Sequence, residues 1–247
     1  MRRCKNILYF MLAVCLMTGC ANKEDNANHS TVHDSIVADS GNSVADSELN
    51  TENVSESPRI LIAYFSRYGN IDSEHEVDAI SSASVLVKDG EMMGNMEYIA
   101  RLIQQNVGGD LYFIETAEKY PSDYDNTDNN ELDLQAEKEQ RESARPMLAS
   151  HVDDMEGYDT VFLCFPNWYS DMPMAVYSFL DEYDFSGKEI IVLTSSGGGR
   201  VGSISDIREL EPDAFVYDDE FTISHSRIES LGEKDIHDWL QEIGYLE

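Results

Sequence analysis

Basic residues are what this 247-residue sequence most lacks: 17 lysines and arginines stand against 48 aspartates and glutamates, a formal net charge of −31 at pH 7. A surface this acidic repels nucleic acid and anionic lipid head groups, so no nucleic-acid partner is expected and a charged partner should be basic; a solvated acidic surface is the plainer reading. Cysteine is scarce too. Of the four, Cys4, Cys15 and Cys20 fall in the first twenty residues, which leaves Cys164 alone in the remainder and no internal disulfide. Cys164 lies in the apolar run "TVFLCFP", the setting of a small core residue rather than a reactive thiol. No Walker loop or G-x-S-x-G elbow occurs, which argues against nucleotidase and hydrolase chemistry. The histidines, His29, His33, His75, His151, His225 and His237, show no metal-ligand pairing. Surface or structural roles are expected for them, and neither a metal site nor a catalytic acid, base or nucleophile is expected.

What is present begins with "MRRCKNILYFMLAVCLMTGCANKED": basic residues Arg2, Arg3 and Lys5, an apolar stretch from Ile7 to Met17 too short to span a bilayer, then small residues before a cysteine. That is the pattern of an export signal. Its "LMTGC" ending resembles the signal of bacterial lipoproteins, with Met17 where leucine is more usual. The resemblance implies cleavage after residue 19, lipid on Cys20, and a chain anchored to the cell membrane outside the cytoplasm through that lipid only. An ordinary cleaved signal with a chance cysteine is the alternative. Residues 20–57 are dominated by Ser, Asn, Asp and Glu and hold no aromatic residue. They carry too little apolar surface to offset the entropy of ordering, so a disordered tether is expected.

Residues 58–247 are enough for one domain. Apolar runs at 59–65, 110–116, 160–165, 189–195 and 214–219 suit strands covered on both faces. Between them fall helical spacings: Met96, Ile99, Ala100 and Ile103; Val176, Phe179, Leu180 and Tyr183; Ile236, Trp239, Leu240 and Ile243; and, more loosely, Val201, Ile204, Ile207 and Leu210. The stretch "ELDLQAEKEQRESARPML" reads as a solvated helix ending near Pro146. This alternation predicts a doubly wound α/β fold with a five-stranded parallel sheet in the order 2-1-3-4-5.

In such sheets ligands bind beyond the carboxyl ends of the strands, where strand order reverses. The first loop there is "YFSRYGN". No periodic apolar face follows it until "GNMEYIARLIQQ", so a split anion cradle is expected, with Ser66 and Arg67 on one side and Gly94, Asn95 and Met96 on the other. Residues 68–93 then loop out, and Tyr68–Asn70 is a decoy. The second loop, "FPNWYSDMP", places Trp168 and Tyr169 where they can stack on a flat ligand; loop packing or a partner contact is the alternative. The third, "TSSGGGRVGS", has successive glycines that let backbone approach a ligand edge.

The segments "LIAYFS", "VDAISSASVLVKDGEMMGNMEYIARLIQQNVGGDLYFIET", "YPSDYD", "EKEQRESARP", "YDTVFLCFPNWYSDMPMAVYSFLDEYDFSGKEII" and "WLQEIG", in this order, resemble the flavodoxin family, in particular a bacterial subfamily with a long insertion in the phosphate loop. The resemblance spans nearly all of residues 59–245. It implies non-covalent FMN and electron transfer, or FMN-dependent reduction of quinones or similar acceptors. By position, Ser66, Gly94, Asn95 and Met96 would take the phosphate, Pro166, Asn167, Trp168 and Tyr169 would flank the ring, and Ser195, Ser196, Gly197 and Gly198 would approach its polar edge. The chain departs from the family pattern at Met96, usually threonine, at Ser170, frequently glycine, and in "SSGGGRVG", where a histidine is usual. Loss of the threonine hydroxyl would cost roughly 1.5–3 kcal/mol of phosphate binding. The alternative is a flavin-free member of the family that serves as a ligand- or protein-binding module.

Overall fold

The three most apolar runs become the three central strands, because a strand covered on both faces has no solvent side to mark with polar residues. The computed structural model describes residues 57–72, 84–121, 131–197 and 202–246. The expected signal, Cys20 and nearly all of the expected tether lie outside these residues. In chain order the elements are β1 (Ile60–Tyr64), β2 (Val85–Lys88), β3 (Glu91–Gly94), α1 (Asn95–Val107), β4 (Asp110–Phe113), α2 (Glu131–Glu142), β5 (Thr160–Pro166), α3 (Met174–Glu182), β6 (Glu189–Ser196), α4 (Ser203–Leu210), β7 (Phe215–Val216), β8 (Phe221–Ser224) and α5 (Glu233–Glu242).

The main sheet is parallel throughout, in the order β4-β1-β5-β6-β7, with β8 also paired to β6. Numbered by sheet position this is the expected 2-1-3-4-5. The strand count differs from five, because two short strands share the last position: β7 lies beside Glu189 and Ile190, and β8 beside Leu193 to Ser196. The polar segment "YDDE" at 217–220 separates them.

Alternation along the central strands sends Leu61, Ala63, Val161, Leu163, Ile190 and Val192 to one face, where Val176, Phe179 and Leu180 of α3 and Ile207 of α4 cover them. Ile60, Ile62, Phe162, Cys164, Ile191 and Leu193 point to the other face, under Ile99 and Ile103 of α1 and Ile236, Trp239 and Leu240 of α5. Cys164 is fully buried, and burial pushes its thiol pKa well up, so it packs as a small apolar residue. Among the described residues no helix is long and apolar enough to cross a membrane.

Three elements differ from expectation. The stretch "SVLVKDGEMM", read as part of a looped-out segment, contains the antiparallel hairpin β2–β3, closed by Asp89 (φ 52) and Gly90 (φ 83). That Asp-Gly pair suits a type I′ turn, whose twist matches the flanking strands. Helix α2 ends at Glu142, not near Pro146, because Ser143 turns left-handed (φ 50). It is also not wholly solvated, since Leu132 and Ala136 are buried.

The acidic composition has one measurable consequence in the fold. Burial, together with the nearby Asp181 and Asp184, pushes the Glu211 carboxyl up to about 7. A folded pKa above the unfolded value means that the native state holds this proton more tightly, so the stability it contributes at low pH is lost as pH rises from about 4.3 through 7. Glu211→Gln is therefore expected to stabilise the protein at pH 8 by about 1 kcal/mol, after discounting for solvent screening. At pH 4 it should change nothing. Urea denaturation at the two pH values measures the difference.

Candidate functional site

The chain runs from β1 outward to β4 and returns to β5 on the opposite side of β1, so strand order reverses between β1 and β5. The loops after these strands meet at their carboxyl ends, and the loop after β6 lies beside them.

The first loop is held by Asn70, which is fully buried. Its side-chain amide donates to the carbonyls of Ser66 (2.9 Å) and Ile114 (3.0 Å). Its carbonyl oxygen accepts from the backbone N–H (2.8 Å) and hydroxyl (3.1 Å) of Thr116. Its backbone donates to Arg67 and accepts from Tyr120. Asn70 is thus a bolt between the loop and the segment after β4, a role that reading Tyr68–Asn70 as a decoy did not anticipate.

With the loop so fixed, Ser66 lies against Gly94, and a Cβ at position 94 would fall 2.0 Å from the Ser66 hydroxyl. Only glycine permits that approach. The two halves of the expected cradle are therefore together, although 27 residues separate Ser66 from Gly94 in sequence.

Some donors at the start of α1 are already engaged. The Gly94 amide reaches the Glu97 carboxylate at 3.4 Å, and the Asn95 amide donates to the Ser84 carbonyl at 3.0 Å. Glu97 also pairs with Arg101 at 2.6 Å. Met96 buries its side chain in the core with Ile99 and Ile103, so only its backbone is left to meet an anion. Arg67 adds a buried guanidinium.

In the second loop the indole of Trp168 stands perpendicular to Phe65 (centroids 5.2 Å) and Tyr120 (5.3 Å). Two aromatic neighbours thus fix its orientation while it remains half-buried. Trp168 and Asp171 exchange backbone hydrogen bonds at 3.0 Å around Tyr169 (φ 54) and Ser170 (φ 63). This is a left-handed turn made without glycine, which costs on the order of 1 kcal/mol per residue. Asp171 anchors it by accepting from Met172 N–H, Tyr177 and Gln140.

In the third loop the Ser195 carbonyl accepts from the Asn167 amide at 2.7 Å, and the Asn167 side chain donates to the Ser196 hydroxyl at 3.3 Å. Glu220 clasps both ends of this loop: one oxygen accepts from Thr194 (2.6 Å), the other from Ser203 (3.2 Å). Gly198 lies outside the described residues.

These loops enclose a slot of about 310 Å³. Of the residues proposed from sequence, Arg67, Pro166, Asn167, Trp168, Tyr169, Ser195, Ser196 and Gly197 line it; Ser66, Gly94, Asn95 and Met96 do not, but form the Ser66–Gly94 contact and the start of α1. Leu132 and Ala136 of α2 and His225 also line the slot and were not foreseen. The spacing of Leu132 and Ala136, one turn apart, was the available signal for the first two; nothing local marks the third.

A doubly wound sheet with an aromatic-walled slot, lined by polar and apolar groups alike, at its switch point defines a class of nucleotide-cofactor folds. Within that class, the flavodoxin family model matches residues 84–243, and the chain belongs to the flavodoxin family. A candidate flavoprotein of known structure from Bacteroides eggerthii is 25% identical, with a TM-score of 0.55 over 77% of this chain and 100% of its own. Another from Bacteroides uniformis is 21% identical, with a TM-score of 0.51 over 75% of this chain and 99% of its own. A Lactobacillus acidophilus flavoprotein solved in complex with FMN is 15% identical, with a TM-score of 0.44 over 70% of this chain and 98% of its own. No curated protein matches in sequence.

The residues fit the family's cofactor at the ring end. Among the described residues, Oδ1 of Asn167 and Nδ1 of His225 are buried at the slot without hydrogen-bond partners, as polar groups awaiting a ligand edge would be. At the phosphate end the Ser66–Gly94 cradle has the right close approach, and the phosphate would replace the Glu97 carboxylate on the Gly94 amide.

Proposed function

We propose that this protein binds FMN non-covalently and serves in electron transfer or flavin-dependent reduction, outside the cytoplasm, anchored by lipid on Cys20. The slot at the switch point, with its fixed indole and with Asn167 and His225 atoms that have no partner among the described residues, carries the reading. The export-type amino terminus supports the location, and the acidic composition supports a basic redox partner. We read residues 68–93 as an insertion that divides the phosphate loop.

Bound there, FMN would supply one- and two-electron chemistry. The chain's own part is to hold and shield it. Ser66 and the amides at the start of α1 take the phosphate, with Arg67 balancing its charge. Trp168 and Tyr169 flank the ring and exclude water. Asn167 and the backbone from Ser195 to Gly197 meet its polar edge. Electron transfer asks no proton of these residues. Titrating residues 58–247 into FMN should quench flavin fluorescence and give a yellow protein on gel filtration; a colourless eluate with unquenched flavin sinks the proposal.

A second reading, a module for a flat ligand without phosphate, is favoured by the engaged Gly94 and Asn95 amides. The Glu97 charge separates the two. Glu97→Gln should tighten FMN roughly twofold to fivefold, because one negative charge leaves the phosphate end and helix-start charges are worth about 0.3–1 kcal/mol. Riboflavin, which lacks the phosphate, should bind unchanged. Equal effects on both ligands, measured by fluorescence titration at low salt, would favour the second reading.

A further inference from the structure

Resting on the flavin reading, we propose that His225 is a ring-contact residue: its imidazole Nδ1 hydrogen-bonds the polar edge of the bound flavin, from an element outside the three loops at the strand ends.

Sheet register puts it there. Strand β8 runs parallel to β6 with Ser196 abreast of Ser224, so the residue just after each strand, Gly197 and His225, reaches the ligand-binding end together. The imidazole lies close enough that a Cβ at Gly197 would sit 3.4 Å from Nδ1. A Cβ at 197 would be in van der Waals contact with the ring.

The chain after His225 is firmly held. His225 opens a 3-10 turn, His225–Ser230. Ile228 within the turn and Leu231 just after it are buried, and the Leu231 carbonyl accepts a 2.7 Å hydrogen bond from the Tyr98 hydroxyl of α1. Upstream, Thr222 on β8 meets the Thr194 hydroxyl at 3.1 Å. The imidazole is thus delivered to the slot by a fixed backbone.

Its inner nitrogen is nonetheless without a partner. Among the described residues Nδ1 is buried and makes no hydrogen bond, and the same holds for Oδ1 of Asn167, which lines the same slot. A buried polar atom left unpaired costs free energy unless a ligand satisfies it. The edge of a flavin ring offers carbonyl oxygens and an N–H side by side. Asn167 Oδ1 can only accept, so it suits the N–H, whereas Nδ1 can donate to a carbonyl in the matching tautomer.

The test is a fluorescence titration of wild type, His225→Ala and His225→Asn with FMN and, separately, with riboflavin. His225→Ala should weaken both ligands by the same factor, roughly threefold to tenfold, since the contact is to the ring they share. His225→Asn, whose amide can reach the place of Nδ1, should restore most of the loss. Urea midpoints of the flavin-free proteins should coincide, because Nδ1 makes no bond to lose. If wild type binds and His225→Ala matches it, the contact is overturned while the FMN reading stands. A loss confined to FMN also overturns it, because it would place His225 at the phosphate. Failure of wild type to bind either ligand overturns both proposals.

Discussion

Asn70→Ala is expected to destabilise the protein by about 3–4 kcal/mol, the largest effect of any single substitution considered for this site. The side chain joins four buried groups: the carbonyls of Ser66 and Ile114 and the amide and hydroxyl of Thr116. Ser66, Ile114 and Thr116 are each at most 2% exposed, so water does not reach them freely once the amide is gone. Each orphaned group costs about 1–3 kcal/mol, and partial relaxation of the loop recovers some of that sum. Asn70→Asp should be no milder: it keeps an acceptor for Thr116, removes both donors, and places a charge in a buried position. Flavin binding should fail in parallel, since Ser66 would no longer be held against Gly94. Urea denaturation followed by circular dichroism reads the stability, and a loss below 1 kcal/mol would refute the bolt.

The second large effect is expected from Trp168→Ala, and it falls on binding. Removing an aromatic platform from a flat ring costs about 1–3 kcal/mol, so FMN and riboflavin should both weaken roughly tenfold to a hundredfold. The fold should lose less, on the order of 1–2 kcal/mol, because the indole that packs on Phe65 and Tyr120 is only half-buried. Trp168→Phe keeps a ring in the same place and should bind within about threefold of wild type. If Trp168→Ala instead unfolds the protein while Trp168→Phe leaves affinity and stability unchanged, the indole is a packing residue and not a platform.

How far the sequence spoke for the structure depended on where the decisive partners lie. Strands β1, β5 and β6 were legible because both of their faces are buried, which makes their apolar runs continuous. The edges were less so: the run at 110–116 yields a strand only to Phe113, with Leu111 substantially exposed, and the run at 214–219 yields two residues before "YDDE" interrupts it. The hairpin β2–β3 leaves no mark in the helical periodicity after Ser66; the Asp-Gly between two β-branched or apolar runs is its informative sign. Residues of the slot that sit in loops directly after apolar strands could be found. Asn70 could not, since its partners Ile114 and Thr116 are 44 and 46 residues away. His225 was invisible for a similar reason: its placement follows from the pairing of β8 with β6, a strand the sequence did not announce.

The carboxylate of Glu220 ties Thr194 to Ser203, fastening the base of the loop between them. Sheet register on one flank and helix α4 on the other are therefore insulated from the residues that follow Gly197. Evolution or a designer could lengthen, shorten or recompose that part to suit a different ligand or redox acceptor while the scaffold keeps its shape, so this is the part of the rim where variation among related chains should be freest.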